Sequence, residues 1–313
     1  YYNLATVERF LGNRDAAEVA ITNCINLRPA DADAHLLRSG LRSQTEDKNN
    51  IQALLDAYAL MRDLPRDRLK VCFALFKELE DTGDHDRAYR YLEEGAGLRR
   101  NHMQYTPEND LESMREIRDV YTRDFMAASQ AGFTNAEPIF VIGMPRTGTT
   151  LVERILGSHS VVRSAGESQA FAVELMEQCK RVASSPPANP RELVRLSGNI
   201  DFAALGEAYV KAARPAGAPS AHFIDKLPLN FLYAGLIHLA LPKARIVLLE
   251  RDPMDTFFAV FKTLFAGIYP FSYDIEELAH YIVEYRNLVS HWQQVMPGVI
   301  HVVRYEELVT DPQ

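Results

Sequence analysis

The sequence predicts an α/β fold: a phosphate-loop parallel sheet with flanking helices, preceded by an all-α helical-repeat domain. Three observations predict it. From Pro138 onward, short β-branched apolar runs ("PIFVIG", "HFIDK", "ARIVLLERD", "VIHVVRYE") alternate with helical segments. That is the pattern of a parallel sheet covered on both faces. The first run leads into "GMPRTGTT", a near match to the phosphate-binding loop G-x-x-x-x-G-K-[ST]. Residues 1 to about 100 instead read as helix after helix.

Composition bounds the rest. A chain of 313 residues suggests two domains, on a prior of ~150 residues each. With 47% hydrophobic and 24% charged residues, the chain is of ordinary globular type. No apolar run is long enough for a membrane span. No secretory signal is visible, and a cytoplasmic location is expected. The net charge of -8 disfavours a general nucleic-acid face. A polyanionic ligand would have to be held by a few placed cations. Cys24, Cys72 and Cys179 are far apart; an odd count without metal-ligand spacing predicts buried free thiols, and no metal is expected.

Taken in order, "NLATVERFLGNRDAAEVAITNCINLRP" gives two apolar stripes with a turn at Gly12-Asn13 and a stop at Pro29. "FALFKELEDTGDHDRAYRYLEEGAGLRR" repeats the plan around Gly83-Asp84. The two glycines lie 71 residues apart, about twice a 34-residue helical-hairpin period. Ala17 and Ala88 follow at the same offset, where close helix packing needs a small side chain. Residues 1–100 thus resemble tetratricopeptide repeats, with a degenerate middle and a plain helical bundle as the alternative. Residues 101–137 read as a helical connector, its main helix opened by Thr106-Pro107 as N-cap and N1 and its end at "QAGFTNAEP". Residues 138–313 form the α/β domain.

The loop lacks its lysine: Thr149 stands in that place, and Arg146 brings a guanidinium three residues earlier. Backbone N–H groups of Arg146, Thr147, Gly148, Thr149 and Thr150 would ring an anion at a helix N-terminus. Arg146 is suited to binding an oxyanion in bidentate fashion. A degenerate nucleotide loop and a loop built for another anion both remain open. Three further residues stand out. Arg251 follows a buried strand, where ligands of parallel sheets bind; an ion pair with Asp252 or Asp255 is the alternative. Lys226 also stands at a strand end, and a solvated lysine is its plain reading. Glu167 follows "SAG"; it is either a general base near the loop or a helix-capping acid.

The ordered set "PRTGTT", "GE", "DKLPLN", "LLERDP" resembles the sulfotransferase family, most closely its tyrosylprotein and bacterial tetratricopeptide-repeat branches. The closing stretch from "FSYDIEEL" to "VVRYEELVTDP" resembles the bacterial branch as well. The resemblance implies transfer of a sulfuryl group from 3′-phosphoadenosine 5′-phosphosulfate (PAPS) to a hydroxyl acceptor. Protein tyrosine, a sugar and a small molecule are all open as acceptors. It implies that Arg146, Thr147, Gly148, Thr149 and Thr150 bind the 5′-phosphosulfate, with Arg146 supplying the catalytic cation of the loop. Arg251 would bind the 3′-phosphate, Tyr305 would contact the cofactor, Glu167 would be the catalytic base and Lys226 would assist the leaving group. His159 and His222 are the alternative bases. The repeats would hold a protein or peptide.

Two departures stand against the pattern. The family has a serine eight residues beyond the strand-end arginine; this chain has Ala259, with Lys262 or Thr263 as substitutes. The family also continues past "RYEELV" with a segment over the cofactor, so the C-terminal part is expected to be incomplete. The competing readings are a phosphate-loop kinase or NTPase, with Asp225 or Glu250 holding Mg²⁺, and a helical-repeat interaction module carrying a degenerate nucleotide-binding domain. The aromatic residues near Ile268 to Phe271 are candidates for an acceptor cleft, with core packing as the alternative.

Overall fold

Gly12 and Gly83 both adopt φ of +82°, a conformation costly for any residue with a Cβ. Each reverses the chain between two helices. Gly12 joins α1 (Tyr2–Phe10) to α2 (Arg14–Leu27), and Gly83 joins α5 (Pro65–Asp81) to α6 (His85–Asn101). Ala17 and Ala88, the small residues expected beside each turn, are 0% and 2% exposed. Between the hairpins lie α3 (Ala32–Ser39) and α4 (Ile51–Leu60). Asp31 and Asp84 cap α3 and α6, accepting from Ala34 N at 3.0 Å and Arg87 N at 3.2 Å. Each such cap stabilises its helix by about 1 kcal/mol.

The structure is a computed structural model that describes residues 1–129, 132–185, 187–216 and 221–311. The expected end of the connector at Gln130-Ala131, and Pro312 of the closing motif, lie outside the described residues. The chain divides into two units. The first joins residues 1–105 to 261–277. Within it, Lys262 Nζ donates to Glu80 Oε1 at 2.8 Å, and Arg100 donates twice to Glu277 at 2.8 Å. A 3₁₀ turn, Pro270–Tyr273, lies in the returning segment.

The second unit holds residues 106–260 and 278–313. It opens with α7 (Pro107–Val120) and α8 (Arg123–Ala128). Then come β1 (Pro138–Gly143), α9 (Thr149–Gly157), β2 (Val162–Ser164), α10 (Ala170–Val182), α11 (Pro190–Ser197) and α12 (Phe202–Ala213). Next are β3 (His222–Asp225), a 3₁₀ turn at Pro228–Tyr233, α13 (Ala234–Ala240) and β4 (Arg245–Glu250). The last elements are α14 (Pro253–Phe261) and α15 (Ile275–Val295), whose residues 261 and 275–277 fall in the first unit, then β5 (Ile300–Arg304) and α16 (Tyr305–Thr310).

All strand pairs are parallel, in the order β2-β3-β1-β4-β5. The central strand β1 is buried at every residue, because its two sets of alternating side chains meet different layers. Val141 packs with Ile224, Leu249 and Val152 of α9. Phe140 faces the opposite way, stacked on Tyr209 of α12 with ring centroids 5.2 Å apart and edge-on to Phe171 of α10 at 6.1 Å. A buried aromatic ring of this kind stabilises by roughly 1.5–3 kcal/mol. This clamping fixes β1, and with it the loop that leaves its carboxyl end. Four strands fall where the apolar runs predict them; β2 was not predicted. Among the described residues, no helix is long and apolar enough to cross a membrane.

Candidate active site

Each strand ends at, or within three residues of, a group that the sequence singles out. After β1 comes the loop with Arg146, after β2 Glu167, after β3 Lys226, after β4 Arg251 and after β5 Tyr305. Parallel strands put all five on the carboxyl edge of one sheet, where open α/β sheets bind ligands.

The loop is shaped by positive φ values. Gly143 has φ +147°, and a Cβ there would stand 2.8 Å from Leu249 O. Gly148 has φ +103° and a Cβ there would meet the Tyr305 ring at 2.6 Å. Arg146 has φ +68°, a rare conformation for a residue with a side chain and one that is concentrated at functional loops. It leaves the guanidinium exposed. Thr147 is turned inward, its Oγ1 donating to Met144 O at 2.7 Å. Its hydroxyl proton is committed to that carbonyl. Helix α9 makes its first hydrogen bond from Leu151 N to Gly148 O at 2.9 Å. The N–H groups of Thr149 and Thr150 ahead of it are the orphan donors of any helix start, and they favour an anion.

Arg251 closes one side. Its Nη1 donates to Arg146 O at 3.2 Å, and its guanidinium carbon lies 4.8 Å from the Tyr305 ring centroid. The ion pair weighed against a ligand role is present too, to Asp255 at 3.6 Å. Tyr305 therefore touches both the loop glycine and the strand-end arginine. Asp252 N donates to Glu306 Oε1 at 2.8 Å, tying α14 to α16 beneath this cluster.

Lys226 and Glu167 form the other side. Lys226 Nζ donates to Glu167 Oε1, and Glu153 Oε2 of α9 lies 3.8 Å away. The lysine side chain is 8% exposed, whereas Glu167 is 50% exposed. The cation is thus sequestered and its carboxylate partner faces solvent. The Glu167 turn is pinned from both ends. Ala165 N donates to Ile224 O at 2.8 Å, and Lys226 N donates to Gly166 O at 2.9 Å. Glu153 accepts from Ser164 Oγ; it stands one turn into α9 and links this pair to the loop helix.

Beneath Lys226, Asp225 is fully buried. Tyr209 OH donates to it at 2.9 Å and Asn230 Nδ2 at 3.2 Å. Burial pushes its carboxyl up to about 7, against the pull of those two bonds and one from the Ser168 backbone. Sequence reading weighed Asp225 only as a metal ligand; its setting between a tyrosine and an asparagine needed the fold. Glu153, in plain view at a helical position, carried no local signal.

The alternative bases are placed elsewhere. His222 opens β3 at the amino edge of the sheet, bonded through Nδ1 to Ala136 O at 3.0 Å. His159 lies beyond the far end of α9, accepting from Val161 N at 3.3 Å. Lys262 is held by Glu80 in the first unit. Tyr269 and Phe271 are 6% and 2% exposed in that same unit, as core packing would have them. Among the described residues, no group of three or more His, Cys, Asp or Glu is placed to hold a metal.

Fold and site together define an α/β protein with a central parallel sheet, whose loop between β1 and α9 has an arginine and no lysine. The profile of the Sulfotransferase family matches residues 138–313, more than half of the chain, and the chain belongs to that family. An uncharacterized protein of Aquifex aeolicus is 27% identical over 310 residues, covering 97% of this chain and 40% of its own length. Nodulation protein NoeE of Sinorhizobium fredii is 29% identical over 122 residues, covering 36% of this chain and 28% of its own. The chain therefore spans less than half the length of either relative. The crystal structure of sulfotransferase STF9 from Mycobacterium avium aligns over 82% of this chain and 80% of its own, at 15% identity and a TM-score of 0.35.

Proposed function

We propose that the second unit transfers a sulfuryl group from PAPS to a hydroxyl acceptor. The observation that carries this is the convergence at one sheet edge of a lysine-free phosphate loop, a strand-end arginine stacked on a tyrosine, and a sequestered lysine paired with an exposed carboxylate. PAPS would supply an activated sulfuryl group on a phosphate leaving group. The loop N–H groups and Arg146 would hold its phosphosulfate end, Arg251 its 3′-phosphate, and Tyr305 would contact the nucleotide.

Glu167 would take the acceptor's proton. A phenol with pKa near ~10 is protonated at neutral pH, so a base is needed as its oxygen attacks sulfur. The new oxygen–sulfur bond forms as the bond from sulfur to the phosphate oxygen breaks. Lys226 and Arg146 meet the charge that grows on the departing oxygen, the electrostatic contribution that dominates such transfers. The Glu167–Lys226 pair has to part for both to act, and the greater exposure of Glu167 makes it the partner that turns toward the acceptor.

A kinase reading lacks the loop lysine, and Asp225, one of its two candidate Mg²⁺ ligands, is committed to Tyr209 and Asn230. Ala259 is the observation that favours a degenerate nucleotide domain serving an interaction module. The two glycine-turned hairpins of the first unit support reading it as tetratricopeptide-like, a surface for a protein or peptide acceptor.

The test is sulfate transfer from labelled PAPS to polypeptide, sugar and small phenol acceptors. Glu167→Gln and Lys226→Ala are each expected to lower kcat by about 10²–10⁴, the usual worth of such groups, with donor KM nearly unchanged. Turnover by Glu167→Gln close to that of the unaltered chain would remove Glu167 as the base. A small phenol used as efficiently as a polypeptide would remove the helical unit from acceptor delivery.

A further inference from the structure

Ala259 offers no hydroxyl to a phosphate held at Arg251. One turn earlier on the same face of α14 stands Thr256, which is 4% exposed. Helical threonines ordinarily spend their hydroxyl on a carbonyl three or four residues back. Thr256 does not. Its backbone N–H donates to Asp252 O at 2.9 Å, but its Oγ1 is buried with no hydrogen-bond partner. Arg251 Nε is buried with no partner as well.

Both residues line one cavity of about 290 Å³, walled by Met144 and Tyr285, with the exposed Arg286 also among its lining residues. Glu250 is the single acid among the described lining residues, set against two guanidiniums. Buried polar groups in native proteins are almost always bonded, and each exception calls for a reason. A guanidinium N–H can only donate, and a hydroxyl can join it in donating to the same oxyanion. Two orphan groups on the wall of one cavity therefore call for an acceptor that a ligand brings.

We propose that this cavity binds a phosphomonoester through Arg251 Nε and Thr256 Oγ1. Under the function proposed above, on which this rests, that group is the 3′-phosphate of the donor nucleotide. Thr256 then supplies the hydroxyl that position 259 lacks, from one turn closer to the arginine.

The experiment is calorimetric titration of the full chain with 3′-phosphoadenosine 5′-phosphate and with adenosine 5′-phosphate. Thr256→Val removes the hydroxyl at nearly constant shape, and Thr256→Ser keeps it. The valine variant is expected to bind the bisphosphate about tenfold or more weakly, the worth of one hydrogen bond to a charged group. Its affinity for adenosine 5′-phosphate should not change, and the serine variant should match the unaltered chain. The ligand-free melting temperature of the valine variant should hold or rise, since no native bond is lost. Equal bisphosphate affinity in the valine variant would overturn the assignment. So would a lower ligand-free melting temperature, which would give the hydroxyl a structural partner. Failure of the unaltered chain to bind the bisphosphate would instead overturn the nucleotide reading, and this assignment with it.

Discussion

Asp225 carries the clearest link between burial and pH in this chain. Its carboxyl moves from the usual 3.8 to about 7, first because it is buried. Unfolding returns it to water. Between about pH 4 and 7 the folded chain therefore holds a proton that the unfolded chain has released, and stability falls as pH rises across that window. Below it both states are protonated; above it both are ionised. Asp225→Asn removes this contribution, so the slope of unfolding free energy against pH between 4 and 7 should become more positive than in the unaltered chain. Denaturant melts at half-unit pH steps measure it, and identical slopes would show that Asp225 does not titrate there. At this scale the sequence was partly legible. Arg146, Glu167, Lys226 and Arg251 could be singled out because each sits beside a strand signal or a loop glycine. Glu153 and Thr256 could not: a glutamate or a threonine within a helix looks the same whether it faces solvent or a site.

Among the elements, the loop from β1 to α9 depends on backbone conformations that few residues tolerate. Gly148 combines φ of +103° with the Tyr305 ring where a Cβ would lie. Gly148→Ala therefore meets two penalties, a strained backbone costing of order 1–3 kcal/mol and a displaced ring. The expected result is a lower melting temperature together with weakened nucleotide binding. Tyr305→Ala added to Gly148→Ala should recover part of the lost stability, because it removes the clash but not the strain. Additive losses in the double variant would mean that the ring and the glycine do not meet. The other four strands were readable because β-branched runs bounded by turn residues have few alternatives. Strand β2 escaped notice because Val162-Arg163-Ser164 is three residues long, two of them polar, and at the sheet edge. Pairing with β3 makes it a strand, and pairing is not written in local composition.

The division of the whole molecule is not a simple cut of the chain. Residues 261–277 belong by their contacts with the helical unit rather than with the sheet that precedes them. Their ties, Lys262 to Glu80 and Arg100 to Glu277, span well over a hundred residues of sequence, beyond the reach of periodicity or turn signals. Composition implied that any polyanionic ligand would have to be held by a few placed cations, and Arg146, Lys226 and Arg251 follow strand ends at one edge of the sheet. The measurement that tests this account most directly is calorimetric titration of the chain with 3′-phosphoadenosine 5′-phosphate, with ATP as control and Arg251→Ala alongside. The account predicts micromolar binding of the bisphosphate that is lost in the variant and not matched by ATP. Absence of binding to a well-folded chain, or equal binding of ATP, would contradict it.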